Sequence, residues 1–204
     1  MMKCRNSNIL GQIEVVSIYV PDGELLEELD ILKQIQMGPA LEPRQNAQQN
    51  LIRDLTKGEY QRCKTDPDLW YKAGLDRKLN SNWFIESDIV KHLAHSILNK
   101  VRKITKVDLV RVAGHTYSHG NGWIGWHTNS NAAGKRAYCI WNKFSNVNFF
   151  RWVDKNERIQ TDWEPEGWII RVFNVPKLPE RLWHCIQMQG SRFTLGFAEK
   201  ICHG

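Results

Sequence analysis

Between residues 107 and 200 the sequence keeps interrupting itself. Eight short segments, VDLVRVA, GWHTN, RAYCIWN, VNFFRWV, RIQTD, WIIRVF, LWHCI and RFTLGFA, are rich in β-branched and aromatic residues. Each is closed by Gly, Asn, Pro or charged turn residues, as in SNAAGK and VPKLPE. Strands this short cannot bury much alone, so about eight of them must close on one another as a sandwich, barrel or jelly roll.

The part before residue 107 reads differently. IEVVSIYV (13–20) is a strand ended by Pro21-Asp22-Gly23, and GELLEELDILKQI after it has the apolar spacing of an amphipathic helix at Leu25, Leu26, Leu29, Ile31, Leu32 and Ile35. A short helix is expected near Asn46–Leu55, followed by a polar loop through Lys64–Pro67 and a long irregular connection. ESDIVKHLAHSILNKVRKI is the clearest helix. Ser87 can cap it, Ile89, Val90, Leu93, Ile97, Val101 and Ile104 form its stripe, and Lys100, Arg102 and Lys103 load the end where the dipole favours cations. The expectation is one domain over 1–204: an N-terminal strand and supporting helices over 13–106, then a β core over 107–200.

With 42% apolar and 25% charged residues the chain is neither disordered nor collagen-like. It has no apolar run of about 18 residues, so no membrane span or membrane partner is expected, and a cytoplasmic location is. Five cysteines without a CxxC pair argue against a disulfide framework or a zinc knuckle. The net charge of +6 is modest and scattered; it leaves nucleic acid possible as a partner without pointing to it.

The chemistry-bearing residues come in order. His127 and Asn129 stand two apart in GWHTNSNAAGKR, where strand alternation would point both to one side. His184 follows 57 residues after His127 in LWHCI, then Arg192 in SRFTLGF with Thr194 on the same face. Two imidazoles and one oxygen donor on one face of an octahedron make a non-haem iron site, whose other face stays open. An arginine inside an apolar strand must find a carboxylate, and a guanidinium pairs one bidentately. Arg136 and Lys143, on the strand after the loop, read as solvated. Trp123 and Trp126 are candidates for lining a cleft, with strand packing as the plainer reading.

YSHGNGWIGWHTNSNAAGKRAYCIW and WIIRVFNVPKLPERLWHCIQMQGSRFTLGF together resemble the iron(II)- and 2-oxoglutarate-dependent dioxygenases, in particular their prolyl-hydroxylase-like branch. The resemblance covers about residues 107–200. It implies a mainly β fold with flanking helices, a double-stranded β-helix (jelly roll) supported by N-terminal α-helices. It further implies iron(II) held by His127, Asn129 and His184. 2-Oxoglutarate would be a co-substrate bound through Arg192, Thr194 and Tyr117, and molecular oxygen the second. The primary substrate would be a protein or peptide side chain, with nucleic acid as the lesser option. Asn129 departs from the family pattern, which has Asp or Glu there. Three readings follow: an amide ligand in a working site, a carboxylate supplied from elsewhere, or a non-catalytic jelly-roll binding or assembly module. A nucleic-acid-binding or -modifying protein is a further alternative.

Overall fold

The structure, a computed structural model, describes residues 15–20, 23–37, 55–66, 77–78, 87–118, 120 and 122–199. All eight β segments expected after residue 107 are strands: β3 (Leu109–Ser118), β4 (Gly122–His127), β5 (Gly134–Asn142), β6 (Asn148–Val153), β7 (Ile159–Trp163), β8 (Gly167–Val175), β9 (His184–Met188) and β10 (Arg192–Glu199). Their pairing is nested. The first strand of the core pairs with the last, β3 with β10; then come β4 with β9, β5 with β8, and β6 with β7, every pair antiparallel. Two further pairs, β5 with β10 and β6 with β9, knit these into two sheets. A long hairpin folded over on itself in this way is a jelly roll, so the fold class expected from the sequence is what the chain adopts.

One sheet has the order β1-β8-β5-β10-β3, with β1 (Val15–Tyr19) added at its edge; the other is β2-β4-β9-β6-β7, with β2 (Arg77–Lys78) added at its edge. Alternation gives each sheet an inner and an outer face, and both outer faces need cover. Helices α1 (Glu24–Met37) and α3 (Asp88–Thr105) cover the first. Leu25, Leu29, Leu32, Val90, Ile97 and Val101 form one core with Cys139, Ile170, Phe193, Leu195 and Phe197 of the strands. Burying each of the larger of these side chains is worth about 1.5–3 kcal/mol. Ser87 caps α3 as its spacing suggests, its Oγ accepting the Val90 N–H at 3.3 Å. Ile89 and Ile31, expected in the apolar stripes, are exposed instead, because they sit to one side of the narrower stripes that the sheet can reach.

The outer face of the second sheet is covered by helix α2 (Lys57–Thr65). The sequence predicts no helix here, and its polar loop through Lys64–Pro67 overlaps the last residues of α2. Its mean hydropathy is too low to mark a helix, and only Tyr60 and Cys63 are buried, beside Trp126, Phe149, Val153, Trp183 and Cys185. Trp126 and Cys185 therefore serve this outer core and face away from the space between the sheets. The helix expected near Asn46–Leu55 lies outside the described residues, apart from Leu55 itself. No helix among the described residues is long and apolar enough to cross a membrane.

Candidate metal and anion site

The inner face of the β4–β9 pair brings the two histidines together. His127 and His184 are direct cross-strand partners, with ring centroids 4.1 Å apart. Ile124 of β4 pairs with Ile186, so β4 holds one more residue than β9 between these two pairs. That bulge matters. Without it, Ile124 and His127, three apart, would point to opposite faces; with it, both point inward.

Asn129 arrives by another route than strand alternation. β4 ends at His127, and Asn129 has φ 54°, ψ 17°, opening a 3-10 turn over Ser130–Ala132. Asn is among the few non-glycine residues that tolerate this left-handed conformation. The turn swings its amide back, and Nδ2 lies 3.2 Å from His184 Nε2.

Both imidazoles are oriented by backbone carbonyls, which only accept. His127 Nδ1 donates to Gly125 O at 2.7 Å, and His184 Nδ1 to Leu182 O at 2.9 Å. Each ring therefore carries a proton on Nδ1 and turns Nε2 away from that carbonyl, the arrangement in which a hydrogen-bonded histidine ligates a metal through its other nitrogen. His184 is fully buried between Phe150, Phe173 and His127. Burial, with help from the neighbouring His127 and Arg136, holds its pKa well below the usual imidazole value, so it stays neutral.

Two imidazole Nε2 atoms, with the Asn129 amide beside that of His184, fit a divalent transition ion that accepts imidazole nitrogen and amide oxygen. Turning the Asn129 amide over would present Oδ1 in place of Nδ2. The set brings no negative charge, and among the described residues no three His, Cys, Asp or Glu converge on a point. The donor geometry suits a metal; the electrostatics make the site a weak one.

Deeper between the sheets, Arg192 and Thr194 point inward from β10, and both are buried. The carboxylate that Arg192 needs is inside the chain. Glu164, at the end of β7, accepts from Arg192 Nε at 2.7 Å and Nη2 at 2.9 Å, while Arg192 Nη1 donates to Thr194 Oγ1. Glu164 also accepts from Arg171 Nη1 at 2.6 Å, and Arg171 Nη2 reaches Asp162 at 2.7 Å. Burial pushes the Glu164 carboxyl up, but the two guanidiniums outweigh it and bring its pKa down to about 2.

Tyr117 stands elsewhere. It pairs across the sheet with Phe193 and packs against the helix-covered core, on the opposite face from Arg192 and Thr194. The tyrosine that does share their face is Tyr138 of β5, paired with Gly196 and Arg171. Burial raises its pKa, against the pull of Arg136, Arg111 and Arg192 around it. Arg136, read from the sequence as solvated, is 4% exposed and faces inward as well. Strand alternation through Arg136, Tyr138, Ile140 and Asn142 was the available signal for both. Arg171 inside WIIRVF carried the same signal as Arg192. Glu164, in the turn Glu164-Pro165-Glu166, had none.

No family model matches the chain, and no curated protein does. Among solved structures, a prolyl-4-hydroxylase from Pseudomonas putida is similar at a TM-score of 0.39 and 10% identity, over 87% of this chain and all of that one. A likeness that shallow leaves the nested strand pairing as the ground for the fold.

Proposed function

We propose that the chain is an iron(II)- and 2-oxoglutarate-dependent oxygenase that hydroxylates a side chain of a protein or peptide. The observation that carries this reading is the pair of imidazoles set directly opposite each other, each fixed by a backbone carbonyl, with the Asn129 amide 3.2 Å from His184 Nε2. His127, Asn129 and His184 would hold the metal, and the cationic interior behind them would hold the co-substrate. When bound, iron(II) supplies the electrons that let dioxygen react, converting 2-oxoglutarate to succinate and carbon dioxide while one oxygen atom enters the substrate.

The chain's own part is positioning. Gly125 and Leu182 keep both rings in the ligating tautomer, and Phe150 and Phe173 wall His184 off from water. Arg192, Glu164 and Arg171 stiffen the floor of the space. A second reading, a non-catalytic jelly-roll binding module, is favoured by two observations: Asn129 supplies no charge, and Arg192 is already paired with Glu164.

Succinate release separates them. The protein is loaded anaerobically with iron(II) and 2-oxoglutarate, then exposed to oxygen. Slow succinate formation is expected, and its loss in both His127→Ala and His184→Ala. No succinate from the wild type, or succinate persisting in His184→Ala, contradicts the oxygenase reading.

A further inference from the structure

The inner face of the first sheet can be read row by row from its register. Phe173, Arg136, Ala198 and Arg111 form one row across β8, β5, β10 and β3; Arg171, Tyr138 and Gly196 form the next. Two arginines thus flank a floor made of Ala198 and Gly196, with Tyr138 beside them. Nη2 of Arg136 donates to Ala132 O in the turn that follows Asn129, while its Nη1 is buried with no hydrogen-bond partner. Nε of Arg111 is likewise buried and unpartnered. Leaving such groups unmet is costly, so unmatched guanidinium donors around a floor of one methyl group and one glycine call for an anion.

The charge count agrees. Among the described residues, Arg111, Arg136, Arg171 and Arg192 face the space between the sheets, against Asp162 and Glu164. These two carboxylates pair with Arg171 and Arg192, and Asp162 also accepts from Ser17 Oγ at 2.9 Å. Glu199 is the nearest other acid to Arg136, but it lies at the rim, where its Oε2 accepts the Lys135 N–H at 2.8 Å.

We infer that Arg136 and Arg111, with the Tyr138 hydroxyl, form the carboxylate-binding site of this interior, and that Arg192, occupied by Glu164, does not. The ligand class is a small dicarboxylic oxo acid, whose distal carboxylate the two unneutralised guanidiniums would share. Arg136 is suited to the role because it also reaches the turn carrying Asn129, so the anion would lie against the metal-binding end of the space. This assignment rests on the oxygenase reading for the identity of the oxo acid; the placement of the anion rests on the arginines alone.

The test is calorimetric titration with 2-oxoglutarate, with and without manganese(II). Charge-assisted hydrogen bonds are worth about 1.5–3 kcal/mol each, so Arg136→Gln and Arg111→Gln should each weaken binding about tenfold or more. Neither should lower the urea midpoint much, because neither guanidinium is paired with a carboxylate among the described residues. Arg192→Lys, which keeps a cation for Glu164, should bind 2-oxoglutarate like the wild type. 2-Oxobutyrate, which lacks the distal carboxylate, should bind wild type and Arg136→Gln equally; this separates a ligand contact from a general loss of structure. Unchanged 2-oxoglutarate affinity in both Arg136→Gln and Arg111→Gln overturns the inference, and so does a wild type that does not bind it. Manganese uptake, read in the same titrations, decides the metal reading independently.

Discussion

Replacing Glu164 with Gln should destabilise the fold more than any other single-atom change inside the jelly roll. The side chain is wholly buried and accepts three hydrogen bonds from two guanidiniums, at 2.6, 2.7 and 2.9 Å. Gln keeps the shape, but its NH2 group turns a donor toward a donor, so either Arg192 Nε loses its acceptor or Arg171 Nη1 and Arg192 Nη2 both do. Removing one partner of a buried pair costs about 3–5 kcal/mol. The lowered carboxyl pKa gives a consistent figure. A fall from 4.5 to about 2 corresponds to about 3 kcal/mol of stability at neutral pH. At about 2–4 °C per kcal/mol for a chain of this size, the melting temperature should drop by roughly 6–12 °C. The pH dependence has a definite sign. A carboxylate whose pKa is depressed on folding stabilises fully above its unfolded value, and that contribution fades as pH falls from about 4.5 toward 2. Urea melts of wild type and Glu164→Gln, followed by tryptophan fluorescence, should therefore differ by about 3 kcal/mol at pH 7 and converge in acid. A difference below about 1 kcal/mol at pH 7, the worth of an exposed pair, would refute the reasoning, as would a difference that stays constant down to pH 3.

Three other outcomes follow. Asn148 donates to Asn142 Oδ1 and accepts the N–H groups of Gln189 and Gly190, fixing the turn that leads into Arg192. Asn148→Ala should cost about 2–4 kcal/mol in urea melts, given the buried partners left unpaired; an unchanged midpoint contradicts this. Tyr138→Phe should weaken 2-oxoglutarate binding while Tyr117→Phe, on the other face, leaves it unchanged; calorimetry giving the reverse order would return the role to Tyr117. Asn129→Asp adds the missing charge between the imidazoles and should tighten manganese(II) about tenfold or more, in line with the penalties seen for disturbed metal surroundings; weaker binding contradicts the placement of Asn129.

The eight core strands were legible because each is a short run rich in β-branched and aromatic residues that ends in turn chemistry, a local signal. Helix α2 was not, because its burial depends on two residues meeting a core assembled from strands far along the chain. At the site the same division holds. His127 and His184 could be read as partners, but the β4 bulge that turns His127 inward and the left-handed turn that returns Asn129 are backbone features without a fixed sequence mark. The need of Arg192 for a carboxylate followed from its place in an apolar strand. That Glu164 meets it depends on how the end of β7 packs into the interior, which nothing local to Glu164 encodes. Tyr117 was misplaced by one strand position, enough to move it to the opposite face.

The measurement that bears most directly on the account is anaerobic titration of the intact protein with manganese(II), a redox-silent stand-in for iron(II), repeated on His127→Ala and His184→Ala. One equivalent bound by the wild type, and none by either variant while both remain folded by circular dichroism, is the predicted result. No uptake by the wild type at millimolar metal, or uptake that survives His184→Ala, would contradict the metal site on which the proposed activity depends.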